Sequence, residues 1–216
     1  MIPEPDSFVA GTEPYPWPYH GDVCPDRLCL LIAGVQRVHA EASVGAEVVA
    51  ARIEEVADEV RRAGGIVCHL RHAGTWARRR PLLAHQGEGA SVPVLLPSAG
   101  DLVVTTAGHD GFFASPLDDE LRARGIELLV LVGMAAEVTV SSTRRSANDR
   151  GYECLTLADA CAPLDESTGR HDLHSVTMSG GIFGAVGHAP ALVRALATRP
   201  PTSSPATDLA TNVARP

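Results

Sequence analysis

Residues 128–143 read Leu128-Leu129-Val130-Leu131-Val132-Gly133-Met134-Ala135-Ala136-Glu137-Val138-Thr139-Val140-Ser141-Ser142-Thr143. The first five are apolar without interruption, the pattern of a strand buried on both faces of a parallel sheet. Gly133 punctuates the run. From about Val138 the residues take on a helical mixture that extends to Asp149. A strand passing through a short turn into a helix is one half of a βαβ unit. Its turn lies at the carboxyl edge of the sheet, where open α/β sheets bind ligands.

Outward from this segment the same alternation repeats. Leu28–Ala33 is a second unbroken apolar run. Residues 45–63 form a helix whose stripe of Val49, Ile53, Val56 and Val60 recurs every three or four positions, and Gly64-Gly65 stops it. Strands follow at 66–70, 102–106 and 152–157, with a further helix at 117–124. The pattern predicts an α/β three-layer sandwich, a doubly wound and mainly parallel sheet with helices on both faces. A chain of 216 residues with 45% hydrophobic content fills one such domain, assigned to residues 27–197.

Residues 1–26 form an extended arm, because the prolines in Glu13-Pro14-Tyr15-Pro16-Trp17-Pro18-Tyr19 exclude a helix or central strand. Tyr15, Trp17 and Tyr19 give the arm apolar area to lay on the body or on a neighbouring subunit. Residues 198–216, rich in Pro, Ser, Thr and Ala, read as a disordered tail. Residues 73–98, with Trp76 and Arg78-Arg79-Arg80, form a long irregular stretch of the kind that shapes a pocket or an interface.

A net charge of −8 argues against a nucleic-acid partner. No apolar segment reaches membrane-spanning length, and no leader pattern is apparent, so a cytoplasmic setting is expected. The five cysteines lack paired spacing and read as reduced core thiols. All 18 basic residues are arginine, which excludes lysine chemistry. The expected partner is a small-molecule substrate, with no cofactor and no metal, in a homo-oligomer, either a dimer or a tetramer.

The segment Gly133 to Thr143 resembles the nucleophile motif of the isochorismatase-like cysteine hydrolases, roughly Gly-x-x-x-x-x-Cys-x-x-x-Thr. In that family an unusual cis peptide precedes the cysteine, which sits at a helix N-terminus. Thr139 stands at the cysteine position. Leu30-Leu31-Ile32-Ala33-Gly34-Val35-Gln36 is similar to the family's first strand ending in Asp-Met-Gln, which places Gly34 at the catalytic aspartate. Val103-Val104-Thr105-Thr106, six residues ahead of Phe112, places Thr106 at the lysine. Asp159-Ala160-Cys161-Ala162 resembles the family's next strand end, and the arm is similar to the N-termini of ureidoacrylate and biuret amidohydrolases. The resemblance runs from about Glu13 to Leu196.

What it implies for fold it does not imply for chemistry. In the family, cysteine attacks an acyl carbon, aspartate takes its proton and lysine holds both charges; Gly34, Thr106 and Thr139 supply none of these groups. Candidates for a rebuilt centre are His109 and Asp110 in Gly108-His109-Asp110-Gly111, as acid, base or simply a surface turn, together with Thr139. Substrate contacts are expected from Gly34, Gln36, His72, Trp76, Thr106, Phe112, Ala135 and Glu137. Glu137 also fits as a helix cap, and Phe112 as a packing residue. His69 and His72 lie three apart in a strand and so face opposite ways, which disfavours a metal.

Three readings follow. One is an enzyme of altered chemistry, using non-covalent acid/base catalysis for a cyclisation, condensation or elimination on a neutral or aromatic metabolite, in specialised biosynthesis. Another is an inactive ligand-binding or structural relative. The third keeps amide hydrolysis, with Thr139 as nucleophile and His109 as base.

Overall fold

The structure, a computed structural model, describes residues 8–72 and 93–198. Trp76, the triple arginine and residues 199–216 of the expected tail lie outside the described residues.

The elements, in chain order, are β1 (Leu28–Ala33), α1 (Arg37–Ala42), α2 (Ala46–Ala63), β2 (Ile66–His72), β3 (Leu102–Thr106), α3 (Leu117–Arg122) and β4 (Leu128–Met134). They continue with α4 (Ser141–Asp149), β5 (Glu153–Ala162), α5 (Glu166–Thr177), β6 (Ala185–Gly187) and α6 (Ala189–Ala197). Six strands form one sheet in the order β3-β2-β1-β4-β5-β6. Every neighbouring pair is parallel. The chain therefore starts at the centre, builds outward through β2 and β3, and returns to build the other half from β4. The order reverses between β1 and β4, so the crevice expected of a doubly wound sheet opens at their carboxyl ends.

Alternation along the central strands feeds two cores. Leu28, Leu30 and Ile32 pack with Ile53, Val56 and Val60 of α2 and Leu192 of α6. Cys29, Leu31 and Ala33 face the other way, into a core with Leu117 and Leu121 of α3 and Ala147 of α4. Helices thus cover both faces, giving the three-layer sandwich.

The arm joins the body. Trp17 is fully buried in the α2 core, and Thr12 knots the turn by accepting from the Trp17 amide at 2.9 Å and donating to the Tyr15 carbonyl at 2.9 Å. Glu13 and Val186 exchange backbone hydrogen bonds of 2.9 and 2.8 Å, an antiparallel bridge along β6. That bridge covers part of an edge strand that would otherwise offer unpaired backbone groups.

Several details depart from the sequence expectation. The helix after β4 does not begin at Val138: Ala136–Val140 is one π-helical turn. There the amides of Val138, Thr139 and Val140 all converge on the Ala135 carbonyl at 3.0 to 3.3 Å. Elements α1, α5, β6 and α6 were not anticipated; α1 and β6 are too short to display a period.

Candidate active site

The site is built from backbone at its centre. Gly34, the residue after β1, has φ +65°, and a Cβ there would lie 2.4 Å from the Met134 carbonyl oxygen. Gly133 has φ +135°, and its Cβ would lie 2.0 Å from the Ala33 carbonyl oxygen. Only glycine permits so close an approach of two chains in these conformations. The carboxyl ends of β1 and β4 therefore touch main chain to main chain. The Met134–Ala135 peptide is cis, and Ala135 is buried where the turn carrying Thr139 begins.

Gln36 fastens the next strand. Its side chain accepts from the His72 amide at 2.8 Å and donates to the His72 carbonyl at 3.3 Å. This clasp holds the end of β2 beside the end of β1. The Gly34 carbonyl accepts from the Gln36 amide at 2.7 Å and from Nδ1 of His39, on α1, also at 2.7 Å.

Three imidazoles then gather. The His109 ring stacks on His72, with centroids 5.2 Å apart and planes 18° from parallel, and lies 6.3 Å from the His39 ring. Thr143 secures the loop that carries His109, accepting from the Gly111 amide at 2.9 Å and donating to the His109 carbonyl at 3.4 Å. Thr139 lies four residues before Thr143 and so shares its helix face. Its hydroxyl is buried and meets no hydrogen-bond partner among the described residues.

Burial governs the charge here. It pushes the His72 imidazole down from 6.5 to about 4, helped by His109 and His39. Burial also lowers His39, against the opposing pull of the Gly34 carbonyl, and lowers His69 despite Asp101. All three are neutral at pH 7. The unfolded chain binds protons at these histidines first, so their share of stability is complete above pH 6.5 and is lost as pH falls below it, for His72 toward about 4. Urea denaturation at pH 7, 5.5 and 4 is expected to show a loss on the order of 2–3 kcal/mol from His72 alone, and His72→Gln to flatten the profile.

Other expected site residues are committed elsewhere. Thr106 donates to the Asp110 carbonyl at 2.7 Å and accepts from the Gly108 amide at 3.3 Å, so its hydroxyl closes the loop. Asp110 accepts from the Phe112 amide and the Ser146 hydroxyl, each at 2.9 Å, and so ties the loop to α4. Phe112 packs in the α3 core against Tyr152, with centroids 5.9 Å apart. Glu137 accepts from the amides of Leu164 and Asp165 at 3.0 and 3.3 Å, so it steadies the entry to α5 and does not cap α4. Its second carboxylate oxygen, Oε2, is buried with no hydrogen-bond partner among the described residues.

His69 points to the opposite face from His72, toward Asp101 at 3.1 Å, which Arg61 also holds. Among the described residues no group of three or more His, Cys, Asp or Glu is arranged to hold a metal ion. No helix there is long and apolar enough to cross a membrane. The sequence reasoning missed His39; its signal was a histidine just beyond the carboxyl end of an apolar strand.

Comparison with known proteins agrees with this layout. A model of the isochorismatase domain matches residues 28–186. The ureidoacrylate amidohydrolase RutB of Methylorubrum extorquens is 43% identical over 98 residues, covering 43% of this chain and 40% of that protein. The match thus spans about two fifths of that relative's length. Among solved structures, a cysteine hydrolase from Pseudomonas syringae pv. phaseolicola superposes with a TM-score of 0.72 at 22% identity, covering 82% of this chain and 95% of that one. An isochorismatase family protein from Burkholderia thailandensis gives 0.73 at 24%, covering 80% and 97%. With the model matched across most of its length, the chain belongs to the isochorismatase family.

Proposed function

We propose that this protein is a hydrolase of small, uncharged amide-type substrates, with Thr139 as its nucleophile. The observation that carries this is the Thr139 hydroxyl, buried without a partner at the head of α4 and on the helix face that contacts the His109 loop. A buried hydroxyl left unbonded costs about 1–3 kcal/mol, and such exceptions cluster where a group has chemical work to do. Gly34 and Thr106 stand where the family pattern has its aspartate and lysine, which leaves a neutral centre suited to neutral substrates. The similarity to an amidohydrolase brings hydrolysis ahead of the cyclisation, condensation or elimination expected from the missing ionic groups alone. A homo-oligomer working in the cytoplasm belongs to the same proposal.

The test is a panel of small amides, ureido acids and esters offered to the purified protein, with ammonia or alcohol release as readout. Turnover is expected. Thr139→Ala is expected to lower it by about 10²-fold or more, and mass spectrometry to trap an acyl group on Thr139. A folded protein inert across the panel overturns hydrolysis and favours a ligand-binding relative.

A further inference from the structure

We infer that His39 is the general base of this site, a histidine that takes over from an aspartate at position 34 while being held by the backbone of that same position. The inference rests on the hydrolase reading above and adds a residue to it.

The tautomer follows from the hydrogen bond. Nδ1 of His39 lies 2.7 Å from the Gly34 carbonyl oxygen, and a carbonyl can only accept, so Nδ1 carries the proton. In a neutral imidazole the other nitrogen then bears the lone pair. That nitrogen, Nε2, is buried and meets no hydrogen-bond partner among the described residues, in a residue only 8% exposed. Fixing the tautomer of a catalytic histidine through its second nitrogen is the task of the orienting group in any nucleophile–base pair. Here a main-chain carbonyl performs it.

Position explains why the histidine can stand there. A Cβ on Gly34 would come within 3.0 Å of His39 Nδ1. A side chain at position 34 and the imidazole at this place therefore compete for one space. The glycine and the histidine are two halves of a single exchange. Gly34 also joins the base to the nucleophile: its Cα faces the Met134 carbonyl, and the turn carrying Thr139 starts at the next residue. Burial lowers the basicity of His39, which keeps the ring neutral and ready to accept a proton at pH 7. The ring nearest to it is His109, on which His72 stacks in turn.

The chemistry balances. As Thr139 Oγ1 bonds to the acyl carbon, its proton passes to His39 Nε2, directly or through one water. The resulting imidazolium gives that proton to the departing nitrogen as the C–N bond breaks. Water then attacks the threonyl ester, leaving a proton on Nε2 that returns to Thr139 Oγ1.

His39→Asn separates the base from the anchor, since an asparagine amide can still donate to the Gly34 carbonyl but offers no basic nitrogen. On a substrate the wild type turns over, kcat is expected to fall by about 10²- to 10⁴-fold with little change in KM. The acid limb of kcat/KM below pH 6.5 should vanish, and added imidazole should restore part of the rate. Independently of any substrate, ¹⁵N NMR of the wild type at pH 7 should show a protonated Nδ1 and an unprotonated Nε2 for His39. An Nε2–H tautomer overturns the inference, as does a His39→Asn variant with wild-type rate and an unchanged acid limb. A wild type inert on the whole panel overturns the hydrolase reading itself, and the role of the base with it, even where NMR returns the expected tautomer.

Discussion

Gly34→Asp, which puts a carboxylate at the position that the sequence resemblance aligns with the family's aspartate, is expected to destabilise the protein and to raise no activity. At φ +65° any side chain incurs left-handed strain, and its Cβ meets the Met134 carbonyl at 2.4 Å, a backbone atom that cannot swing aside. Left-handed strain of about 1–2 kcal/mol and forced repacking of about 1–3 kcal/mol sum to roughly 2–5 kcal/mol. For a chain of this size that corresponds to a fall in Tm of about 5–15 °C, readable by circular dichroism. The new carboxylate would also stand in a chain without a single lysine, and would displace His39 from its carbonyl. Gly34→Ala separates the two effects, because it keeps the steric conflict and omits the charge. A wild-type Tm for both variants would show that the β1 and β4 ends can part, contrary to the contact described here.

Arg144→Ala is the second change with a large expected effect. Arg144 is fully buried, and its Nη2 donates to both carboxylate oxygens of Asp172 at 3.0 Å and to the Ser141 hydroxyl at 3.3 Å. Ser141 in turn donates to Asp172 at 2.6 Å. The group links α4 to α5 behind the turn that carries Thr139. Removing one partner of a buried pair strands the other, at a cost of about 3–5 kcal/mol. Urea denaturation at pH 7 checks this, and a loss below about 1 kcal/mol would mean that solvent reaches Asp172 freely. Replacing both partners with apolar residues, Arg144→Met with Asp172→Leu, is expected to recover much of the loss, since no charge then stays buried alone. Thr139 would keep its backbone but lose the rigidity of its helix, so activity should fall further than stability in the single variant.

Each element of this fold that could be read from the sequence had a period or a run to announce it. The apolar strands β1 and β4 and the striped helix α2 could be read because burial on two faces or on one stripe is a local property of composition. The opposed directions of His69 and His72 were equally legible, since alternation in a strand follows from covalent geometry. Elements too short for a period, α1 and β6, were not, and neither were α5 and α6. With α1 went His39, whose place depends on a carbonyl five residues earlier and on the His109 ring, carried by the loop after β3.

Residue type and position in the chain were thus enough to determine the class of fold, and to single out Gly34, Thr106 and Thr139 as the positions that the family resemblance aligns with its aspartate, lysine and cysteine. Which neighbouring groups point inward was decided only by tertiary structure. Thr106, Asp110 and Phe112 were drawn into loop closure and core packing, because a loop of glycines and polar residues must satisfy its own backbone before it can serve a ligand. Thr139 Oγ1 and His39 Nε2 are left buried without hydrogen-bond partners among the described residues, close in the chain to the two glycines at which the ends of β1 and β4 approach main chain to main chain.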